Sequence, residues 1–349
     1  MPFGDSPRQP AFGRGTAPPA ARIIAFTALS ILLMTCLPAR RPAFAGDGLA
    51  VAQSQFSAGA YASAVGTLKE ITLRHPDDAA AHFLAGRCYY EIHDYDNAIA
   101  EALLSVEFSP DNSLYHQWLG RAYGGKADRE KSFLLARKVR KELEEAVALD
   151  PTNVSARRDL QRFYMDAPWI VGGSRDKALG MVNAIKEIDP VEGRLARADY
   201  SLHSLNDIAG ADKEYRGVLA MENGRAGPYF EAAEFYAGRE DAPALEKALK
   251  AAAKAAPSDL RLFYYRGVAC VVAGGPPHDA ERALREYLAA PQRSDWPSHT
   301  DARQWLGRLL ESEGRLADAA AEYRKALAED PSRGGTRARL ERLDESLKR

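Results

Sequence analysis

The chain has 349 residues, 46% hydrophobic and 27% charged, with 47 Lys and Arg against 48 Asp and Glu. That balance belongs to a folded globular chain and excludes a largely disordered one, a collagen-like polymer and a multi-pass membrane protein. The first 45 residues hold five Arg and one Asp, so the remainder carries 42 basic and 47 acidic groups, too acidic a body for general nucleic-acid binding. Three cysteines are too few for a disulfide scaffold.

Residues 1–22 carry Arg8, Arg14 and Arg22, with Asp5 as their one acid. An uninterrupted apolar run follows from Ile23 to Leu37. It is shorter than the ~20 residues a bilayer span needs and suits the core of a secretory signal. Ala43 and Ala45 put small residues where a signal peptidase reads, so residues 1–45 are expected to be a cleaved signal peptide. Arg40 and Arg41 follow the apolar run and resist translocation. Two alternatives therefore stay open: a lipid anchor on Cys36 in the Leu33-Met34-Thr35-Cys36 stretch, and an uncleaved membrane anchor. Cys88 and Cys270, far apart in the body, read as small core residues on helices.

The body repeats itself. Ala302 to Pro331 places Leu306-Gly307, a turn at Gly314, Ala319, Tyr323, Ala326 and Pro331 at set intervals. Gly86, Tyr89, Ala98 and Pro110 fall into the same spacing, with Asp94-Tyr95 at the turn, and Leu119-Gly120 with Tyr123 begins another copy. Pro76 and Pro110 are 34 residues apart.

On these residues the sequence resembles the tetratricopeptide repeat (TPR) family, whose unit is a helix–turn–helix of 34 residues. Small residues let the two helices approach, large ones at helical spacing fill the space beside them, and proline ends the unit. Carried along the chain, the pattern gives about eight units closing near Pro76, Pro110, Pro151, Pro190, Asn223, Pro257, Pro291 and Pro331. The fifth is degenerate, with Tyr200 where a small residue is expected. The resemblance implies an all-α fold: an α-solenoid, or superhelix, over residues 46–331, since such units bury their apolar faces only by stacking. Residues 332–349, polar enough to face solvent, are expected to form a capping helix.

Two insertions break the rhythm, near 124–138 and 167–174. The first reads as a charged helix from Arg129 to Leu149 behind Gly124-Gly125-Lys126; the second is Ala167 to Ser174. Both fall between the paired helices of adjacent units, so they should lie side by side on one edge. Trp169 and Ile170 there have three readings: cover for a helix end, a contact patch for a partner, or neighbours of an anion site at Gly172-Gly173-Ser174.

Chemical motifs are sparse. No phosphate-binding glycine loop, HExxH or CxxC occurs, and in the closest cluster, His82, Cys88 and His93, the first two point to different sides of a helix. No catalytic residue, metal ligand or cofactor is assigned.

In the resembling proteins, set places on each unit's first helix line a concave groove. Those places correspond here to Phe83, Arg87, Tyr90 and Glu91, then Gln117 and Arg121, then Arg158, Arg162 and Asp166, then Arg194 and Arg197. Six arginines and two aromatics would suit an extended acidic peptide, a free C-terminus or an anionic polymer, because guanidinium groups grip carboxylates in a fork and a concave wall focuses their field. The competing reading pairs these arginines with neighbours such as Glu91 and Asp159. The sixth and seventh units offer Phe230, Tyr264, Val268, Val271 and Val272 instead, an apolar segment closed by packing or used by a hydrophobic helix.

The expectation is an exported, periplasmic, non-catalytic scaffold that binds a protein or peptide partner, with no nucleic acid, and meets a membrane only if the N-terminus is retained or lipidated. The alternative is a membrane-anchored assembly factor of the bacterial envelope that uses the edge around Trp169.

Overall fold

A computed structural model describes residues 43–294 and 296–347, so the signal peptide expected at 1–45 lies, but for its last three positions, outside the described residues. Helices pair in chain order: α1 (Ala43–Ser57) with α2 (Tyr61–Arg74), α3 (Ala79–Glu91) with α4 (Tyr95–Phe108), α5 (Ser113–Glu130) with α6 (Phe133–Leu149), and α7 (Val154–Asp166) with α8 (Arg175–Ile188). The second half continues with α9 (Pro190–Leu205) and α10 (Ile208–Leu219), α11 (Ala226–Gly238) and α12 (Ala242–Ala255), α13 (Arg261–Ala273) and α14 (Pro277–Leu288), then α15 (His299–Ser312) and α16 (Leu316–Glu329). A last helix, α17 (Gly334–Leu347), lies on the eighth hairpin and buries Thr336 and Leu343. Every regular element among the described residues is a helix, and the helices stack as an α-solenoid with a capping helix.

Short polar side chains start these helices by taking up orphan N–H groups. Asp78 accepts from Ala80 and Ala81, Asn153 from Ala156, and Ser298 forms a reciprocal capping box with Asp301. The carbonyl of the closing proline finds a partner six residues on. His82 Nε2 lies 2.9 Å from the Pro76 oxygen, His116 Nε2 2.9 Å from that of Pro110, and Arg157 Nε donates to that of Pro151 at 2.8 Å. The other ring nitrogen of each histidine meets a carboxylate of the paired helix, Glu101 at 2.6 Å and Glu142 at 2.8 Å. The two histidines one period apart are thus straps within the hairpins.

Where the paired helices cross, Gly86 faces the Ala98 carbonyl so closely that a Cβ would sit 3.2 Å from it. Fully buried tyrosines fill the space beside such crossings, among them Tyr236, Tyr265, Tyr287 and Tyr323. Emptying one such site costs about 3–5 kcal/mol.

The insertions take forms that spacing alone does not give. The charged segment is no single helix from Arg129: α5 runs on to Glu130, Lys131 turns left-handed at φ 52°, and Ser132 caps α6 by accepting from Leu135. Ala167–Ser174 holds a short 3-10 turn, Trp169–Val171, that packs against α6, with Val171 buried and the Arg140 side chain over Gly172. The two insertions are neighbours. Pro190 closes the fourth unit one residue past the C-cap of α8, as Pro76, Pro110 and Pro151 close theirs, but it also opens α9, because Asp189 serves as the end of α8 and as the cap of α9, accepting from Val191 and Glu192.

The coil brings its far part back onto its beginning. In the connection from α14 to α15, Arg293 donates to the Ser57 carbonyl at 2.9 Å, and Ser294 donates through both its N–H and its hydroxyl to Glu91 at 2.9 Å. Pro291 sits against Gly59, whose φ of 74° and lack of a Cβ leave room for it.

Candidate binding groove

The first helices α3, α5 and α7 present their residues to a common inner wall. Arg87 lies among three rings, its guanidinium carbon 4.4 Å from the centre of Phe56, 4.6 Å from Trp118 and 5.6 Å from Phe83. Arg121 covers the same indole at 4.8 Å, and Tyr90 meets it edge-on at 5.6 Å. Phe83 also packs on Tyr115, with ring centres 4.7 Å apart. The cations are attracted to the ring faces, so the cluster is held by packing and electrostatics together. Burial pushes the Tyr90 hydroxyl up to about 12, so it remains a neutral hydrogen-bonding group at physiological pH.

Three cavities meet here. One of about 320 Å³ is bounded by Phe56, Arg87 and Trp118 and by Ser294 of the returning connection. A larger one of about 720 Å³ runs over Gly124, Val139, Leu143 and Phe163 toward Pro168. A third of about 360 Å³ reaches Arg158, Glu192 and Glu231. Arg121, Asp159 and Arg162 border all three.

The groove arginines are not equivalent. Arg121 Nε donates to Asp159 at 2.6 Å, and Gln117 donates to the same oxygen at 2.7 Å. Arg158 is buried and meets Glu192 at 2.9 Å and Asp199 and Glu231 at 2.8 Å each. Burial opposes its charge, but the carboxylates of Glu231, Asp199 and Glu192 outweigh that and hold it firmly protonated. Arg158 is therefore a structural cation and not a free anchor. Arg162 differs: its side chain is 54% exposed and 3.8 Å from Asp199, which Arg158 holds more closely at 2.8 Å.

Arg194 and Arg197 do not join the groove. The face of α9 turned to α7 is that of Glu192 and Asp199, both of which meet Arg158. At ~100° per residue, Arg197 points about 160° and Arg194 about 140° away from Asp199. Arg194 instead pairs with Glu214 of its own hairpin at 2.7 Å. The missing loop before α9 shifts its register, which spacing counted from distant prolines does not reveal.

Farther along, the inner wall turns acidic. Burial raises the Glu231 carboxyl against the pull of Arg158, and Glu234, open to water but enclosed by the coil, is raised by desolvation and by Asp301, Glu231 and Asp199. Phe230, Tyr264 and Val268 are buried, and Phe230 stacks on Tyr265 at 5.6 Å, so packing closes that apolar segment. Phe56 and Trp118 join the wall from outside the groove places read in the sequence: Trp118 directly precedes Leu119-Gly120, and Phe56 lies in the first unit.

At the insertion edge Trp169 is 85% and Ile170 52% exposed, so neither covers a helix end. Ser174 Oγ accepts from Lys177 N–H, so the start of α8 is satisfied by its own cap rather than open to an anion. Burial holds the Cys88 thiol up at about 12, while His93 is exposed and sits by Tyr95.

Residues 49–113 and 272–333 match the tetratricopeptide repeat family. Superkiller complex protein 3 of Mus musculus is 26% identical over 278 residues, covering 76% of this chain and 16% of that protein, so the chain spans about a sixth of that relative's length. In the crystal structure of the APC/C hetero-tetramer Cut9-Hcn1, a chain superposes with a TM-score of 0.50 at 12% identity, over 85% of this chain and 55% of that one. A tetratricopeptide repeat protein from Parabacteroides merdae superposes with a TM-score of 0.45 at 11% identity, over 86% of this chain and 99% of that one. The paired helices, the repeat spacing and the family match agree: residues 49–113 and 272–333 belong to the tetratricopeptide repeat family, and the chain shares the helical-repeat fold of the Cut9-Hcn1 chain.

Proposed function

We propose that this scaffold receives an acidic segment of a partner protein in the groove between α3, α5 and α7, and that it works by reversible docking without chemistry. The reading rests on the meeting of three cavities at Arg121, Asp159 and Arg162. A carboxylate from the partner takes Arg162, which gives up only its loose 3.8 Å contact with Asp199. Asp199 keeps its 2.8 Å bond to Arg158, so the exchange does not leave it without a cation. Tyr90 and Trp118 supply the aromatic wall, and Glu231, Glu234 and Asp301 repel an acidic segment from the next stretch, confining it to the first four units. The N-terminal sequence supports an exported, periplasmic location, with the chain released by cleavage or held at the membrane.

Peptide-display selection on the full chain tests this reading. Acidic peptides should be enriched, with binding weakened at least about tenfold by Arg162→Glu and by high salt. Enrichment of basic or neutral peptides, or equal binding by the variant, would overturn it.

A further inference from the structure

The two insertions build a second surface, at the outer rim of the groove's larger cavity. Phe133 and Leu134 at the start of α6 are 58% and 73% exposed, and Trp169 and Ile170 are exposed on the turn that packs against the same helix. The turn is fixed and not loose: Val171 is buried, Gly173 N–H donates to the Pro168 carbonyl at 3.2 Å, and Ser174 N–H donates to that of Tyr164 at 2.8 Å. Phe133 and Pro168 border one cavity, and the turn packs on α6, so the four apolar side chains belong to one edge. Residues 131–141 and 167–177 together carry seven Lys and Arg and a single acid, Asp176, in a chain whose net charge is -1. Phe133, Leu134, Arg137, Lys138 and Lys141 share the exposed side of α6, opposite buried Val139 and Leu143. Lys131, Arg137, Lys141 and Arg175 make no ion pair among the described residues, whereas most arginines elsewhere do.

We infer that this edge docks on the surface of an anionic phospholipid bilayer, with Trp169, Ile170, Phe133 and Leu134 entering the headgroup boundary and the surrounding cations meeting lipid phosphates. The charge is complementary, and the apolar part has the composition that interfacial anchors use: an indole, whose ring and N–H suit the boundary, among aliphatic and phenyl groups. No helix of the described residues is long and apolar enough to cross a membrane, so contact through this edge is with the surface. It adjoins the groove where Phe133 and Pro168 border the larger cavity, and leaves the other two cavities free.

Tryptophan fluorescence of the full chain reads this contact directly. The four tryptophans are Trp118, Trp169, Trp296 and Trp305, none of them within residues 1–42, so insertion of the N-terminal apolar run gives no signal of its own. Vesicles of equal parts phosphatidylcholine and phosphatidylglycerol, with brominated acyl chains, should quench the protein, and Trp169→Phe should remove that quenching while vesicles still bind. Lys138→Glu with Lys141→Glu, keeping Trp169, should weaken the quenching titration at least about tenfold, as should 500 mM salt. Quenching that survives Trp169→Phe, that is absent from anionic vesicles, or that is equal with pure phosphatidylcholine overturns the inference. So does unchanged binding by the charge variant, with circular dichroism showing each variant folded.

Discussion

Arg158 of α7 and Glu231 of α11 meet at 2.8 Å, 73 residues apart, across the inside of the coil and past the hairpin that separates them. With Glu192 and Asp199 on α9, they join three successive units through one cation. Replacing Arg158 by Met leaves three carboxylates facing one another without it, and removal of one member of a buried pair costs about 3–5 kcal/mol. Urea unfolding followed by circular dichroism at pH 7 should show that loss.

The same site fixes a pH dependence. Glu231 is raised in the folded protein, so the folded state holds its proton more readily than the unfolded one. Stability linked to it is therefore gained as pH falls through the raised value toward the ordinary one, and lost in the other direction. In Arg158→Met the opposing pull of the guanidinium is gone and the window moves upward. The variant should recover part of its deficit between pH 7 and pH 5, measured as a narrowing gap in urea midpoint to the parent protein.

The contact between the α14–α15 connection and the first units should open on its own. Glu91→Ala removes the acceptor of both Ser294 bonds, which are exposed and worth little to global stability, about 1 kcal/mol or less. Hydrogen exchange should speed up around residues 57–61 and 291–294 while the melting temperature barely moves. Gly59→Ala should do the same with a larger penalty of about 1–2 kcal/mol, since its φ of 74° strains any side chain and the new Cβ meets Pro291.

His82→Phe keeps the ring's bulk but leaves the Pro76 carbonyl and Glu101 without their partner. A buried acceptor left unmet costs about 1–3 kcal/mol, and the equivalent change at His116 should cost a similar amount. Arg162→Ala, by contrast, should stay within about 0.5 kcal/mol of the parent, as expected for an exposed side chain. That contrast separates residues that hold the hairpins from one that is free to bind.

By itself the sequence determined the repeat. Prolines and small residues recur at one period because each hairpin must cross its helices closely and then stop, and those demands act on neighbouring residues. Caps such as Asp78, Asn153 and Ser298 are equally local. It also placed Arg87, Tyr90, Arg121 and Arg162 on first-helix positions that line one set of cavities. What only the tertiary structure decided involves partners far along the chain. Arg158 looked like an anchor until Glu231, two hairpins on, came to meet it. Arg194 and Arg197 turned away because α8 passes into α9 through the single residue Asp189, a register change that rotates every later side chain on that helix. Ser294 reached Glu91 only because small rotations between successive hairpins add up to a coil that returns on itself, a sum that no single unit encodes.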